Sequence, residues 1–150
     1  KNLQFHEADY YYEHGMGNFN KANYSKALKY LAKCAAMDKS NITAAFTLGV
    51  CHFKLGKFDV ARTSLESILR VSPNHQRAAY YLALIYDSIK LQKEAIRMLE
   101  IARGINTIQR NFSMIEIEKN RQLYLGTFQN YKESADKILG LSEQVRPNAG

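Results

Sequence analysis

Proline occurs only twice in these 150 residues, at Pro73 and Pro147, so almost nothing in the chain forbids long helices. Cysteine is as scarce. Cys34 and Cys51 are too few for a disulfide framework, and each lies in a helical apolar pattern where a free thiol acts as a small hydrophobe. Both are expected to be buried and reduced, which points to a reducing, cytoplasmic setting. The longest nearly apolar run, Ala78 to Tyr86, is far too short to cross a bilayer, so no membrane insertion is expected. No charged-then-apolar leader opens the chain; it starts at Lys1 without methionine and is read as an excised piece of a larger protein. With 46% apolar and 23% charged residues the composition is that of a globular domain.

Signatures of chemistry are missing too. His6, His14, His52 and His75 are scattered, with no pair at metal-binding spacing, and neither cysteine has a CxxC or Cys–His partner. No phosphate-cradling glycine loop and no GxSxG elbow occurs. Glu116 and Glu118 point to different sides of a helix, a poor acid–base pair. The expectation is therefore no catalysis, no metal and no cofactor. A net charge of +7 favours acidic partners but does not specify one.

What the chain does have is a step of 34 residues. Ala27, Ala61 and Ala95 keep it, as do Leu31, Leu65 and Leu99 four positions later. Gly15, Gly49 and Ala83 keep it as well, so the step spans a whole structural unit and implies a stack of one motif. Within Ile42 to His75, Ala45, Leu48, Gly49 and His52 define one helical face, and Leu55-Gly56-Lys57-Phe58 then breaks the pattern. A second face follows through Phe58, Ala61, Leu65, Ile68 and Leu69, ending at Ser72-Pro73-Asn74. This is one antiparallel helical hairpin.

That segment resembles a tetratricopeptide repeat, with Leu48-Gly49, Phe58, Ala61, Leu65 and Pro73 at the matching places. His52 and Ala45 depart from the usual tyrosine and tryptophan. The following unit keeps Leu82, Ala83, Tyr86, Ala95, Leu99 and Ala102, but has Lys90 for the turn glycine and Thr107 for the closing proline. The preceding unit keeps Gly15, Tyr24, Ala27 and Leu31, with His14 and Lys39 as departures. The resemblance implies an all-α, right-handed α-solenoid of antiparallel helix–turn–helix repeats. The expected organisation is an N-terminal extension of the first helix (1–7) and repeats at 8–41, 42–75 and 76–109. A degenerate fourth hairpin or capping helices (110–141) and a frayed tail (142–150) follow.

In the fourth hairpin, Phe112, Ile115 and Lys119 keep helical spacing, Leu125-Gly126-Thr127-Phe128 echoes the earlier turn, and Phe128, Tyr131, Ala135, Ile138 and Leu139 resume the period. One long capping helix that merely tolerates Gly126 is the alternative. A stack of this kind needs an atypical end unit to cover its last apolar surface.

The basic residues Lys26, Lys29 and Lys33 run along one side of a helix, as on a solvated face. One step on, the same places hold Val60, Thr63 and Ser67, so no phosphate-following track continues and no nucleic-acid partner is expected.

One feature exceeds what a helix buried on one face requires. Beside the motif face of each unit's first helix runs a second, largely apolar stripe: Tyr12, Met16 and Phe19, then Phe46, Val50 and Phe53, then Tyr80, Leu84 and Asp87, with Tyr81 alongside. The resemblance places this stripe on the concave groove of the stack. Three readings stand: a groove for a partner, a groove filled by the chain's own C-terminal helix, and packing between repeats. The first makes Tyr12, Met16, Phe19, Phe46, Val50, Phe53, Tyr80, Tyr81 and Leu84 contact residues, with Lys54 and Arg77 as a polar rim. Family members that grip chaperone tails use lysines, asparagines and an arginine around the peptide carboxylate. This chain has Tyr12, Met16, Thr47, Arg77 and Tyr81 at those places, so that clamp is absent. The expected function is a non-catalytic scaffold or adaptor that binds an apolar or aromatic peptide or helix in its groove. The alternative is a small export chaperone shielding apolar segments of a secreted client.

Overall fold

A computed structural model describes residues 2–104 and 121–145. Among them run seven helices and no strand: α1 (Asn2–Asn20), α2 (Tyr24–Met37), α3 (Ile42–Lys54), α4 (Phe58–Val71), α5 (Gln76–Ser88), α6 (Gln92–Ala102) and α7 (Arg121–Leu139). They fall into two compact units, residues 1–68 and 69–150.

In the first unit α1 packs on α2 and α2 on α3, around Ala27, Leu31, Cys34, Ala44 and Cys51. Two glycines set how closely the helices approach. A β-carbon on Gly15 would stand 2.6 Å from Leu31 Cγ, and one on Gly49 would stand 3.2 Å from Leu65 Cδ2. Both are contacts tight enough to require a glycine or a local adjustment, and they lie 34 residues apart. The repeat is thus a repeated close approach of two helices, each leucine lying over the glycine of its partner. Burial pushes the Cys51 thiol up to about 11 and raises that of Cys34, so both are protonated at neutral pH.

The hairpin turns repeat as geometry even where the sequence does not. Ala22, Gly56 and Lys90 have φ of 63°, 78° and 64°. After each, the next N–H donates back across the turn at 2.8 Å: Asn23 to the Asn18 carbonyl, Lys57 to that of His52, and Leu91 to that of Tyr86. These are left-handed helix ends closed by the long Schellman bond. Only the middle one carries the residue that adopts this conformation at no steric cost. A non-glycine residue there costs about 1–2 kcal/mol, offset in part by the roughly 0.4–1 kcal/mol that glycine loses through its freer unfolded chain. Lys90→Gly should therefore stabilise the protein by about 0.5–1 kcal/mol, raising the thermal midpoint by about 1–4 °C. A melt at or below that of the native chain would contradict the turn assignment.

Helix starts also recur at the 34-residue step. Asn41 Oδ1 accepts from the Ala44 N–H at 3.0 Å, and His75 Nδ1 accepts from the Ala78 N–H at 3.1 Å. To accept, the His75 ring must be neutral at Nδ1, and burial holds its pKa below the ordinary histidine value.

In the second unit α5 packs on α6, and α7 on both. Every residue of α5 from Ala78 to Tyr86 is buried, as expected for a helix that is apolar all round. Gln76 Nε2 donates to the Ala102 carbonyl at 3.0 Å, fastening the start of α5 to the end of α6.

The C-terminal region departs from the hairpin expectation. α7 runs unbroken from Arg121 to Leu139, so the turn read at Leu125-Gly126-Thr127-Phe128 is absent. Gly126 is not among the positive-φ glycines, and a β-carbon on it would meet nothing within 4 Å. It is a helical residue facing open space. Phe112, Ile115 and Lys119 lie outside the described residues. The tail read as frayed from residue 142 is fastened at its start, where the Glu143 N–H donates to the Tyr80 hydroxyl at 3.3 Å.

Candidate functional site

The stripe singled out in the sequence divides into three groups in the structure. On α1, Tyr12, Met16 and Phe19 are half-buried and lean on the first unit's core; the Phe19 ring meets Tyr24 edge-on at 5.6 Å. On α3, Phe46 is half-buried, whereas Val50 and Phe53 are 1% and 6% exposed. The Phe53 ring packs at 5.3 Å against Phe58, the first residue of α4. Val50 and Phe53 are therefore packing residues, which corrects their placement on an open groove. Lys54 is half-buried, its ammonium 5.9 Å from the centre of the Tyr24 ring.

The third group lies in the second unit. Arg77 is exposed, but Tyr80, Tyr81 and Leu84 are buried, so they too are corrected from groove-lining to covered positions. Tyr80 is covered by α7. The Tyr80 hydroxyl donates to Asp136 Oδ1, whose second oxygen accepts from Lys132 Nζ at 3.0 Å. The Tyr124 hydroxyl donates to Asp87 Oδ1 at 2.6 Å. The first pair joins the start of α5 to the end of α7 and the second joins their opposite ends, so the helices run antiparallel. Beside them the Arg103 guanidinium lies 4.0 Å over the Tyr131 ring, and its Nε donates to Ser134 Oγ at 3.3 Å. Burial, and then the hydrogen bond to the neighbouring aspartate, raise the Tyr80 and Tyr124 pKa values far above the ordinary phenol. Both hydroxyls are fixed donors at physiological pH.

Sequence reading missed an aromatic cluster on the first unit. Tyr10 is 51% exposed; its ring lies 4.1 Å from His14 and 6.5 Å from Tyr30, and Tyr11 adds a ring at 5.5 Å. Lys33 Nζ sits 5.2 Å from the centre of the Tyr11 ring. The signal was present as ring residues at Tyr10, Tyr11 and His14 on consecutive turns of one helix.

Chemically, these arrangements pack side chains against one another. Among the described residues no group of three histidine, cysteine or acidic side chains is placed to hold a metal ion, and both thiols are buried. Among the described residues no helix is long and apolar enough to cross a membrane.

A family model described as anaphase-promoting complex, cyclosome, subunit 3 matches residues 20–102, just over half of the chain. The chain belongs to this family. Its helical hairpins at a 34-residue step are tetratricopeptide repeats, and the structural likenesses agree. The TPR2B domain of yeast Sti1, solved as a pHsp70 complex, is 17% identical, with a TM-score of 0.61 over 88% of this chain and 98% of that one. The TPR domain of Arabidopsis OM64 is 13% identical, with a TM-score of 0.65 over 90% and 98%. The Yersinia enterocolitica secretion chaperone SycD, solved with a peptide of the translocator YopD, is 17% identical, with a TM-score of 0.61 over 83% and 92%. At these identities the likeness is one of fold: an all-α helical repeat of the solenoid class. No curated protein matches the sequence.

Proposed function

We propose that this member of the subunit 3 family is a non-catalytic protein-interaction module acting as a scaffold or adaptor within a larger assembly. Its partner face is the part-exposed apolar surface of the first unit: Tyr12, Met16 and Phe19 on α1, Phe46 on α3, and Lys54 at the rim. The observation that carries this reading is that these side chains stay half-exposed beside a core already filled by Ala27, Leu31, Cys34, Ala44 and Cys51. Apolar and aromatic side chains left in this state favour a partner that completes their desolvation. The ligand is an apolar or aromatic peptide or helix. A chaperone-tail clamp is not part of the proposal: Thr47 is buried with its hydroxyl donating to the Thr43 carbonyl, Tyr81 is buried, and Arg77 alone offers an exposed cation.

The family description names a subunit of a multiprotein complex, which favours the scaffold over the export chaperone. The fold shared with SycD keeps the chaperone as the runner-up. Repeat boundaries at 8–41, 42–75 and 76–109 and a reducing, cytoplasmic location belong to the same reading, supported by the 34-residue register and the two buried free thiols.

The test uses helical peptides selected from a random library for binding to the full chain. Tyr12→Ala together with Phe46→Ala should weaken the selected peptides by about 30-fold or more in fluorescence anisotropy, the loss of one or two anchor side chains, while the helical circular dichroism is retained. Unchanged affinity in the double variant would remove this face from the proposal.

A further inference from the structure

The contact between α5 and α7 is built from unusual material for a helix that only covers the end of a stack. The stripe that α7 buries, against α6 as well as α5, is narrow and mixed: Tyr124, Thr127, Phe128 and Ala135 are buried, with Tyr131 half-buried, while Leu125 and Ile138 remain exposed. Two of its attachments are polar pairs placed twelve residues apart on α7: Tyr124 reaches Asp87, and Asp136 receives Tyr80. The two partners lie seven residues apart on α5, on the face that also carries Leu84. By the 34-residue step this is the same face that presents Phe46 on α3 and Tyr12 on α1.

We infer that the α5 face is a helix-binding site and that α7 is its displaceable intramolecular ligand. The partner it fits is an amphipathic helix running antiparallel to α5, with a phenol near its start, a short aromatic stripe, and a carboxylate about three turns later. Its phenol donates to Asp87 and its carboxylate accepts from Tyr80, in place of Tyr124 and Asp136.

The physical argument rests on the division of labour across this contact. The large apolar side chains that α7 buries are two, Tyr124 and Phe128, both in its first half, so the rest of the helix is held less firmly than an all-leucine seam would hold it. The buried polar pairs add modest net stabilisation but demand one register and one direction, because a misplaced helix would leave hydroxyls and carboxylates desolvated without partners. Covalent linkage supplies the rest, since an attached segment has an effective concentration of the order of millimolar. A free helix of the same pattern therefore competes poorly with the intact chain and well once the resident helix is weakened. The inference rests on the reading of these faces as partner-binding, but it is tested without that partner.

The probe is a labelled synthetic peptide of this chain's own residues 121–143, added to the full-length chain. Tyr124→Phe combined with Asp136→Ala removes one hydrogen bond at each end of α7 and leaves Tyr80 and Asp87 intact on α5. The wild-type peptide should bind this double variant about ten-fold or more tighter than it binds the unmodified chain. A peptide carrying the same two substitutions should lose that gain. Tyr124→Phe alone, which keeps the ring in place, should give about a three- to five-fold gain. Hydrogen exchange is the second measurement: α7 amides should exchange faster in the double variant while α5 and α6 keep their protection. Equal peptide affinity for both chains would overturn the inference. So would simultaneous loss of protection in α5, α6 and α7, because α7 would then be an integral part of the unit's core. The Tyr12→Ala and Phe46→Ala changes should leave binding of this peptide unaltered, so failure of the partner face in the first unit and failure of this inference are separate results.

Discussion

Leu65→Ala should destabilise the first unit by about 2–5 kcal/mol, lowering a thermal midpoint by roughly 5–15 °C. Leu65 is fully buried, and its Cδ2 and Cγ lie where a β-carbon on Gly49 would approach to 3.2 and 3.3 Å. Truncation removes three carbons from the α3–α4 contact, and the helices, held by their other neighbours, close the gap only in part. The same glycine offers an internal control. Gly49→Ala by itself gains about 0.5–1 kcal/mol from helix propensity and loses a similar amount to crowding against Leu65, so it should be near neutral. In the Leu65→Ala background the crowding is gone and the added methyl occupies part of the cavity. The double variant should therefore be more stable than the sum of the single effects by about 0.5–1.5 kcal/mol, measured by denaturant titration. Strict additivity would mean that residues 49 and 65 do not touch, and the register of the hairpin would be wrong.

The part of this architecture that was legible in the sequence is the part that close approach enforces. Ala27, Ala61 and Ala95 and Leu31, Leu65 and Leu99 are all fully buried, because two helices that cross at the same point in each hairpin restrict the same positions every time. The turns were less visible. Gly56 announced one, but Ala22 and Lys90 take the same left-handed conformation without the residue that favours it, held by the backbone bond from the following N–H. The Leu125-Gly126 echo misled for the opposite reason: a glycine marks a turn only where φ is positive, and Gly126 is helical.

The functional stripe was harder again. A double-width apolar stripe has the same sequence signature whether it faces a partner, a neighbouring helix or the chain's own terminus. Phe46 and Phe53 share one helical face, yet one is half-exposed and the other packs on Phe58. Asp87, the polar member of the stripe, is the acceptor for a tyrosine 37 residues away, and Tyr80 meets an aspartate 56 residues away. No local periodicity reports pairings over such distances.

Tyr124→Ala should be the most damaging single change in the second unit, at about 3–5 kcal/mol, because the side chain is 1% exposed and carries both apolar area and a hydroxyl committed to Asp87. Two milder changes separate these contributions. Tyr124→Phe removes only the hydroxyl and should cost about 0.5–1.5 kcal/mol, since the half-buried Asp87 carboxylate retains access to water. Asp87→Ala keeps the tyrosine but strands its hydroxyl in a buried site without an acceptor, at about 1–3 kcal/mol. The expected order is thus Tyr124→Ala, then Asp87→Ala, then Tyr124→Phe, read from denaturant midpoints. If α7 were held by apolar contact alone, the last two would be indistinguishable from the native chain. The damage should also be local. Hydrogen exchange should rise in α7, whereas α5 and α6 keep their protection, as do amides around Ala27, Leu31 and Cys34, because those residues draw their burial from α1, α2 and α3. Loss of protection in both units at once would mean that Tyr124 supports the whole chain, and α7 would then hold the fold together well beyond its contacts with α5 and α6.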